Sequence, residues 1–326
     1  MIKAIFNLQF SNRMKPLNFL KRTLGGMASL GARLSEMQTT IDDQKILTAR
    51  LLIKQMLEHG PYDNIHEAEF KVFSQFGDDG IIQYLIHNVN ITNCSFIEFG
   101  VENYRESNTR FLLINDNWKG LVIDGTESNI QFIQREPIYW RQDLTAVHEF
   151  VTVANINKII SGLGFAGDLG LLSIDIDGND YWVWEAIRVV NPDIVVIEYN
   201  GVFGNRRAVV VPYDPAFNRT AAHYSNLYYG CSLRALDLLA QRKGYLFIGS
   251  NSAGNNAYFV RREKIGRIKP VSVERAFVES RFRESRDAQG RLTYFSGETR
   301  RQAIEELPVL DLEENRIISI KEAFLD

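Results

Sequence analysis

Several acids and a glycine crowd the end of an apolar run in Gly170-Leu-Leu-Ser-Ile-Asp-Ile-Asp-Gly-Asn-Asp180. Carboxylates so placed can take a proton from an attacking oxygen or supply hard ligands to a divalent ion. Residues 171–176 are short, β-rich and apolar, the pattern of a central parallel strand covered on both faces. On such a strand Asp175 and Asp177 share one side, because side chains alternate. Gly178 permits the turn that follows, and residues 181–187 read as an amphipathic return helix. In open α/β sheets, ligands sit in the crevice outside the carboxyl ends of the strands. The competing reading is that Asp177 or Asn179 caps the next helix, although a cap needs one polar residue and this turn has four.

Other strand ends also carry polar groups. Phe96-Ile-Glu-Phe-Gly-Val101 closes with Glu98 and Gly100. A glycine there allows close backbone approach to a ligand, and an acid can accept from an ammonium group, although Glu98 could equally be an ordinary helix-facing acid. Gly120-Leu-Val-Ile-Asp124 ends in an acid 24 residues after Gly100. A carboxylate in that place suits the hydroxyls of a ribose, while Asp-Gly also favours a plain turn. A third strand is expected near Ile138–Arg141, so that Gln142 or Asp143 beyond it could meet an adenine amino group or cap a helix. The fifth, Asp193–Tyr199, would carry Glu198 and Asn200 on one side of its end. Together with Asp175 and Asp177 these could ligate Mg²⁺ or another divalent metal, with Asp175, Glu198 and Asn200 as the expected ligands, or could grip sugar hydroxyls instead. His223, in the long loop beyond, could be a base or a packing residue.

These ends are positioned by alternating elements. Helices are expected over 41–59 (closed by Gly60-Pro61), 79–89, 108–115, 128–135, 156–161 and 181–190, and strands over 95–100, 120–124, 138–141, 171–176 and 193–199. A helix over 232–243 then leads into two strands joined by the polar loop 250–256, an antiparallel hairpin ending a doubly wound, mostly parallel sheet. Beyond about residue 264 the chain is charged and reads as helical.

The 326 residues, 45% hydrophobic and 24% charged, describe a globular α/β chain, and a net charge of −3 argues against nucleic-acid binding. Cys94 and Cys231 have no metal-type spacing and suit reduced thiols in a cytoplasmic protein. No apolar run reaches the ~18 residues of a spanning helix. Lys3, Arg13, Lys15, Lys21, Arg22 and Arg33 precede the first acid, Glu36, among interspersed Phe and Leu. That arm could rest peripherally on the inner face of a membrane or pack on a second subunit.

The chain resembles the FkbM-type methyltransferases, class I S-adenosylmethionine-dependent enzymes that modify sugars and secondary metabolites. The carrying residues are Phe73-Ser-Gln-Phe-Gly-Asp-Asp-Gly-Ile-Ile82, Phe96-Ile-Glu-Phe-Gly100, Gly120-Leu-Val-Ile-Asp124 and Leu172-Ser-Ile-Asp-Ile-Asp-Gly178, within roughly residues 70–262. The last is similar to the family's Lys-Ile-Asp-Val-Glu-Gly, with Ser173 for lysine and Asp177 for glutamate. After the first strand the family usually has Asp-x-Gly-Ala-Asn-x-Gly, where this chain has Glu98-Phe-Gly-Val-Glu-Asn-Tyr104.

The resemblance implies a seven-stranded Rossmann-like methyltransferase fold, expected over residues 66–264, and does not reach the ends of the chain, which read as a helical extension over 1–65 and a charged, helical one over 265–326. It implies S-adenosylmethionine held by Ser74, Gln75, Glu98, Gly100, Asp124, Asp143 and Asp175, and methyl transfer to a hydroxyl oxygen with Asp175, Asp177 and His223 as catalytic candidates. The loop Phe203–Tyr229, with Arg206, Arg207, Asp214, Arg219 and several tyrosines, suits a polar glycan, and its arginines suit a phosphorylated or nucleotide-linked sugar. Two other classes stay open: a non-catalytic assembly protein keeping the fold, and a nucleotide-sugar enzyme using NAD. The lack of G-x-G-x-x-G after the first strand argues against the latter.

Overall fold

The computed structural model describes residues 2–325, with side chains from Ser29 onward apart from Ala32 and Ser35. Helix α1 (Ile2–His59) stops where Gly60 turns left-handed ahead of Pro61. The chain divides into two compact units, one reaching Leu52 and the other starting at Ile53. The described residues of the first are all helical, and Leu30, Leu34, Met37 and Ile41 are exposed on it. The basic and apolar side chains over residues 3–22, on which the membrane-arm expectation rests, lie outside the described side chains. Among the described residues, no helix is long and apolar enough to cross a membrane.

In the second unit, α2 (Asp78–Asn88) precedes β1 (Ser95–Phe99), α3 (Arg110–Asn115), β2 (Lys119–Asp124), α4 (Glu127–Arg135), α5 (Pro137–Arg141) and β3 (Leu144–His148). Then come α6 (Ile156–Gly162), β4 (Gly167–Ile174), α7 (Asp180–Ala186), β5 (Val190–Glu198), β6 (Val209–Val210), α8 (Arg219–Ala222) and α9 (Leu233–Lys243). The chain closes with β7 (Tyr245–Ser250), β8 (Asn256–Arg261), α10 (Val273–Ala276), α11 (Glu298–Gln302), β9 (Pro308–Asp311) and β10 (Arg316–Ser319).

Seven strands form one sheet in the order β3-β2-β1-β4-β5-β8-β7, with the first five parallel and β8 antiparallel to both its neighbours. This is the Rossmann-like methyltransferase fold. Every residue of β1 is buried, as are Leu169 and residues 170–174 of β4, which is why their sequences are continuous apolar runs. Trp184 on α7 packs against Tyr245 and Phe259 with ring centroids 5.8 and 5.3 Å away. Truncating so buried an aromatic costs about 3–5 kcal/mol.

Three sequence expectations need correction. The expected third strand at 138–141 is helix α5, which starts on Pro137, where a missing N–H costs nothing, and β3 begins later at Leu144. β4 ends at Ile174, so Asp175 and Asp177 stand on the turn beyond the strand. The expected helical C-terminal segment is only partly helical. Its β9 and β10 join β6, from the loop after β5, in a separate three-stranded antiparallel sheet.

Candidate active site

A cavity of about 900 Å³ opens at the carboxyl edge of the main sheet, within the ~300–1,000 Å³ usual for small-molecule sites. Five strands deliver residues to it: Glu98 and Gly100 from β1, Asp124 and Gly125 from β2, Glu149 to Val151 after β3, Asp175 to Asp177 after β4, and Glu198 closing β5. The strand order reverses between β1 and β4, which parts the loops above and leaves this crevice. Phe217, Arg219 and Tyr229 of the 203–229 loop, with Ser280, Phe282 and Glu284 of the C-terminal segment, complete the wall. Nine acids line the space (Glu98, Glu102, Glu106, Asp124, Glu149, Asp175, Asp177, Glu198 and Glu284), and Arg219 is the single basic lining residue among the described ones.

The four polar residues of the turn after β4 have different tasks. The Asp180 carboxylate accepts from the N–H groups of Ile176 at 2.8 Å and Gly178 at 2.9 Å, bracing the turn. Asn179 donates its side-chain amide to the Asp214 carbonyl at 2.8 Å and so moors the 203–229 loop. Asp175 and Asp177 are left to line the cavity. Asp177 has φ +56°, a left-handed conformation that Asp tolerates better than most residues. A Cβ on Gly178 would lie 2.2 Å from the Phe217 ring, so the glycine lets that ring close over the turn.

This geometry gathers Asp175, Asp177 and Glu198, whose carboxylate oxygens lie within 4.8 Å of one another. Burial, then the neighbouring Asp177 and Asp180, pushes the Asp175 carboxyl well above its usual range. Glu198 is raised likewise, by burial and then by Asp175 and Asp177. Its Oε2 is buried without a hydrogen-bond partner. Arg219 donates to Asp177 Oδ1 at 2.8 Å, and its guanidinium stands 3.9 Å from the centroid of the Tyr229 ring.

At the other end, Asp124 Oδ2 accepts from the Glu102 N–H at 2.7 Å, and Oδ1 from the Thr126 N–H at 2.8 Å and the Asn129 amide at 3.0 Å. A carboxylate has about four acceptor positions, so one stays free for a ligand. Glu98 is more fully committed. It accepts from the hydroxyls of Ser107 and Thr109 and from the N–H groups of Asn108 and Thr109, holding the start of α3, and burial pushes its carboxyl upward. Gly100 has φ +73°, and a Cβ there would sit 1.6 Å from the Asp175 carbonyl oxygen. Only glycine lets the loops after β1 and β4 touch at this point.

Several expected site residues stand elsewhere. Asp143 is exposed and precedes β3, its carbonyl accepting from Gly120 at the start of β2, on the edge opposite the cavity. Asn200 does not line the cavity: its amide donates to the carbonyls of Leu227 and Tyr229 at 2.9 and 3.0 Å, and its Oδ1 accepts from the Val202 N–H at 3.0 Å. It clamps the loop instead of presenting a ligand oxygen. His223 also lies outside the lining. Its Nδ1 is 2.7 Å from the Ser225 hydroxyl, its ring lies on Tyr224, and partial burial lowers its pKa. Gln75 lines the cavity, whereas Ser74 turns its hydroxyl to Asp79 at 2.8 Å. Arg207 pairs with Asp311 at 2.9 Å, and neither Arg206 nor Arg207 lines the cavity.

Asn129, Glu149, Phe150 and Val151 line the cavity and went unrecognised in the sequence. The alternation in Leu144-Thr-Ala-Val-His148 is the signal that would have placed β3 and found the last three. Ser280, Phe282 and Glu284 carry no local signal. A G-x-G-x-x-G does occur at Gly162-Leu-Gly-Phe-Ala-Gly167, but it leads from the end of α6 into β4. A dinucleotide fingerprint runs from strand to helix, so this one has no helix N-terminus to offer a phosphate.

No protein-family model matches this sequence, and no curated protein sequence matches it significantly. Among solved structures, it is similar to the N-terminal domain of EvdMO1 with SAH bound, at 10% identity over 68% of this chain and 97% of that one, with a TM-score of 0.37. A S-adenosylmethionine-dependent methyltransferase from Clostridium acetobutylicum aligns at 8% identity over 56% and 89% of the two chains, TM-score 0.36. An O-methyltransferase from Bacillus cereus in complex with SAH aligns at 12% identity over 53% and 74%, TM-score 0.32. The strand order and directions by themselves define the fold.

Proposed function

We propose that this chain transfers a methyl group from S-adenosylmethionine to a hydroxyl oxygen of an uncharged sugar or glycan. The observation that carries the reading is the cavity over the strand-order reversal, with a partly unused carboxylate after β2 and two crowded ones at the ends of β4 and β5.

The residues fit the donor. Asp124 has an acceptor position for a ribose hydroxyl, Gly100 keeps the β1 loop low, and Phe150 and Val151 offer an apolar flank beside Gly125 for a base. When bound, S-adenosylmethionine supplies an electrophilic methyl group on a sulfonium whose positive charge suits a cavity lined by acids. The protein's part is alignment and proton removal. The acceptor oxygen forms the new bond to the methyl carbon, the sulfur keeps the electrons of the broken bond, and the hydroxyl proton passes to Asp175 or Glu198.

The charge of the lining narrows the acceptor. A phosphorylated or nucleotide-linked sugar would meet nine acids and one guanidinium already bonded to Asp177, so the earlier reading of the loop arginines is replaced by a neutral, hydroxyl-rich acceptor. Titration calorimetry with S-adenosylmethionine, its demethylated product and NAD tests the donor, followed by mass spectrometry of a sugar panel for a gain of one methyl. Preference for NAD, or no binding of either sulfur compound at millimolar concentration, would overturn the reading.

A further inference from the structure

Asp175, Asp177 and Glu198 come from two neighbouring parallel strand ends and bring carboxylate oxygens within 4.8 Å of one another. Three carboxyl groups face one cation, Arg219, which occupies a single oxygen of Asp177. Glu198 is 8% exposed, lines the cavity, and keeps Oε2 without a partner, a costly arrangement unless something binds there. Among the described residues, none donates a hydrogen bond to the Asp175 carboxylate. The wider cavity adds six more acids and no further basic side chain.

From this juxtaposition we infer that Asp175, Asp177 and Glu198 form a binding site for one octahedral divalent cation of the Mg²⁺ or Mn²⁺ type. All three donors are hard oxygens, the class that Mg²⁺ and Mn²⁺ prefer over the nitrogen and sulfur sets of zinc or copper. Three protein oxygens fill half of an octahedral shell. The other half stays with water or with two adjacent hydroxyls of an acceptor, which fixes the acceptor's orientation and makes the coordinated hydroxyl easier to deprotonate. Asn200 is excluded because its amide is spent on the Leu227 and Tyr229 carbonyls. In its role toward an acceptor the inference rests on the proposed methyl transfer; as a cation site it stands on the carboxylates alone.

The test uses the full chain, Mn²⁺ as probe and two readouts besides turnover: electron paramagnetic resonance of free Mn²⁺, and calorimetry with S-adenosylhomocysteine. The wild-type protein should bind one Mn²⁺, and Glu198→Gln and Asp177→Asn should each weaken it by more than the ~10–100-fold typical of changes outside a metal's immediate ligands. Asp177 is exposed, so its variant reports on the site even if the buried Glu198→Gln fails to fold. No Mn²⁺ binding at millimolar concentration with S-adenosylhomocysteine binding intact would overturn the cation site and leave the donor reading. Unchanged Mn²⁺ affinity in both variants would overturn it too. Mn²⁺ bound with no S-adenosylhomocysteine affinity would uphold the site and remove the methyl-transfer reading.

Discussion

Arg219 reaches across the cavity to Asp177 at 2.8 Å, tying the short helix α8 to the turn after β4. The 203–229 loop and the main sheet are therefore joined at the point where an acceptor would enter. The guanidinium also stands 3.9 Å from the Tyr229 ring centroid and donates to the Asn226 carbonyl at 2.8 Å, so it is held from three sides.

Replacing Arg219 with alanine should lower turnover by up to about 100-fold, the scale of a misplaced reactant. Stability should also fall, by about 1–3 kcal/mol, because the Arg219 side chain is mostly buried and its Nε donates to the Asn226 carbonyl at 2.8 Å, which the variant leaves without that donor. Arg219→Lys should restore little, since an ammonium cannot both stack and fork. Steady-state kinetics beside thermal melts check this, and full activity in the lysine variant would show that charge alone suffices.

Asp124→Ala should weaken S-adenosylmethionine binding by about 1.5–3 kcal/mol, the range for a hydrogen bond to a charged group. The variant also frees the N–H groups of Glu102 and Thr126, so its melting temperature should fall as well. Calorimetry at several temperatures separates the effects. Unchanged affinity in a folded variant would exclude Asp124 from the donor site.

Gly100→Ala should be severe. The new methyl meets backbone, the Asp175 carbonyl oxygen at 1.6 Å, and the position has φ +73°. Overpacking and left-handed strain together predict a loss of about 2–4 kcal/mol. Denaturant unfolding measures it, and a loss below half of that would mean that the β4 turn yields easily.

Asp79 holds the turn ahead of β1, its Oδ2 accepting from the N–H groups of Val72, Phe73 and Ser74 while Oδ1 is buried and unpartnered. Burial, partly offset by these bonds, pushes its carboxyl from 3.8 to about 6. For an acid raised in the folded state, ionisation opposes folding. The favourable part is complete below pH 3.8 and is lost as pH rises through about 6. Relative to wild type, Asp79→Asn should therefore gain stability between pH 4 and 7, by up to about 3 kcal/mol. Parallel unfolding curves across that range decide it, and a constant difference would show that Asp79 is ionised throughout.

What the sequence determined by itself is the order of elements and the identity of most strand-end acids. Short apolar runs bounded by turn residues read as buried strands, and the acid or glycine closing each is readable from composition and position, as with Glu98, Gly100, Asp124, Asp175 and Glu198. Tertiary structure decided which of those groups are free to do chemistry. Asn200 and His223 look as available as Asp175 in the sequence, yet contacts to Leu227, Tyr229 and Ser225, distant in order or set by the loop's course, consume them. Asp143 fell on the wrong edge because Pro137 starts a helix where an apolar run suggested a strand. The C-terminal wall and the meeting of Asp175, Asp177 and Glu198 depend on non-local packing and on one left-handed residue, which no local periodicity encodes.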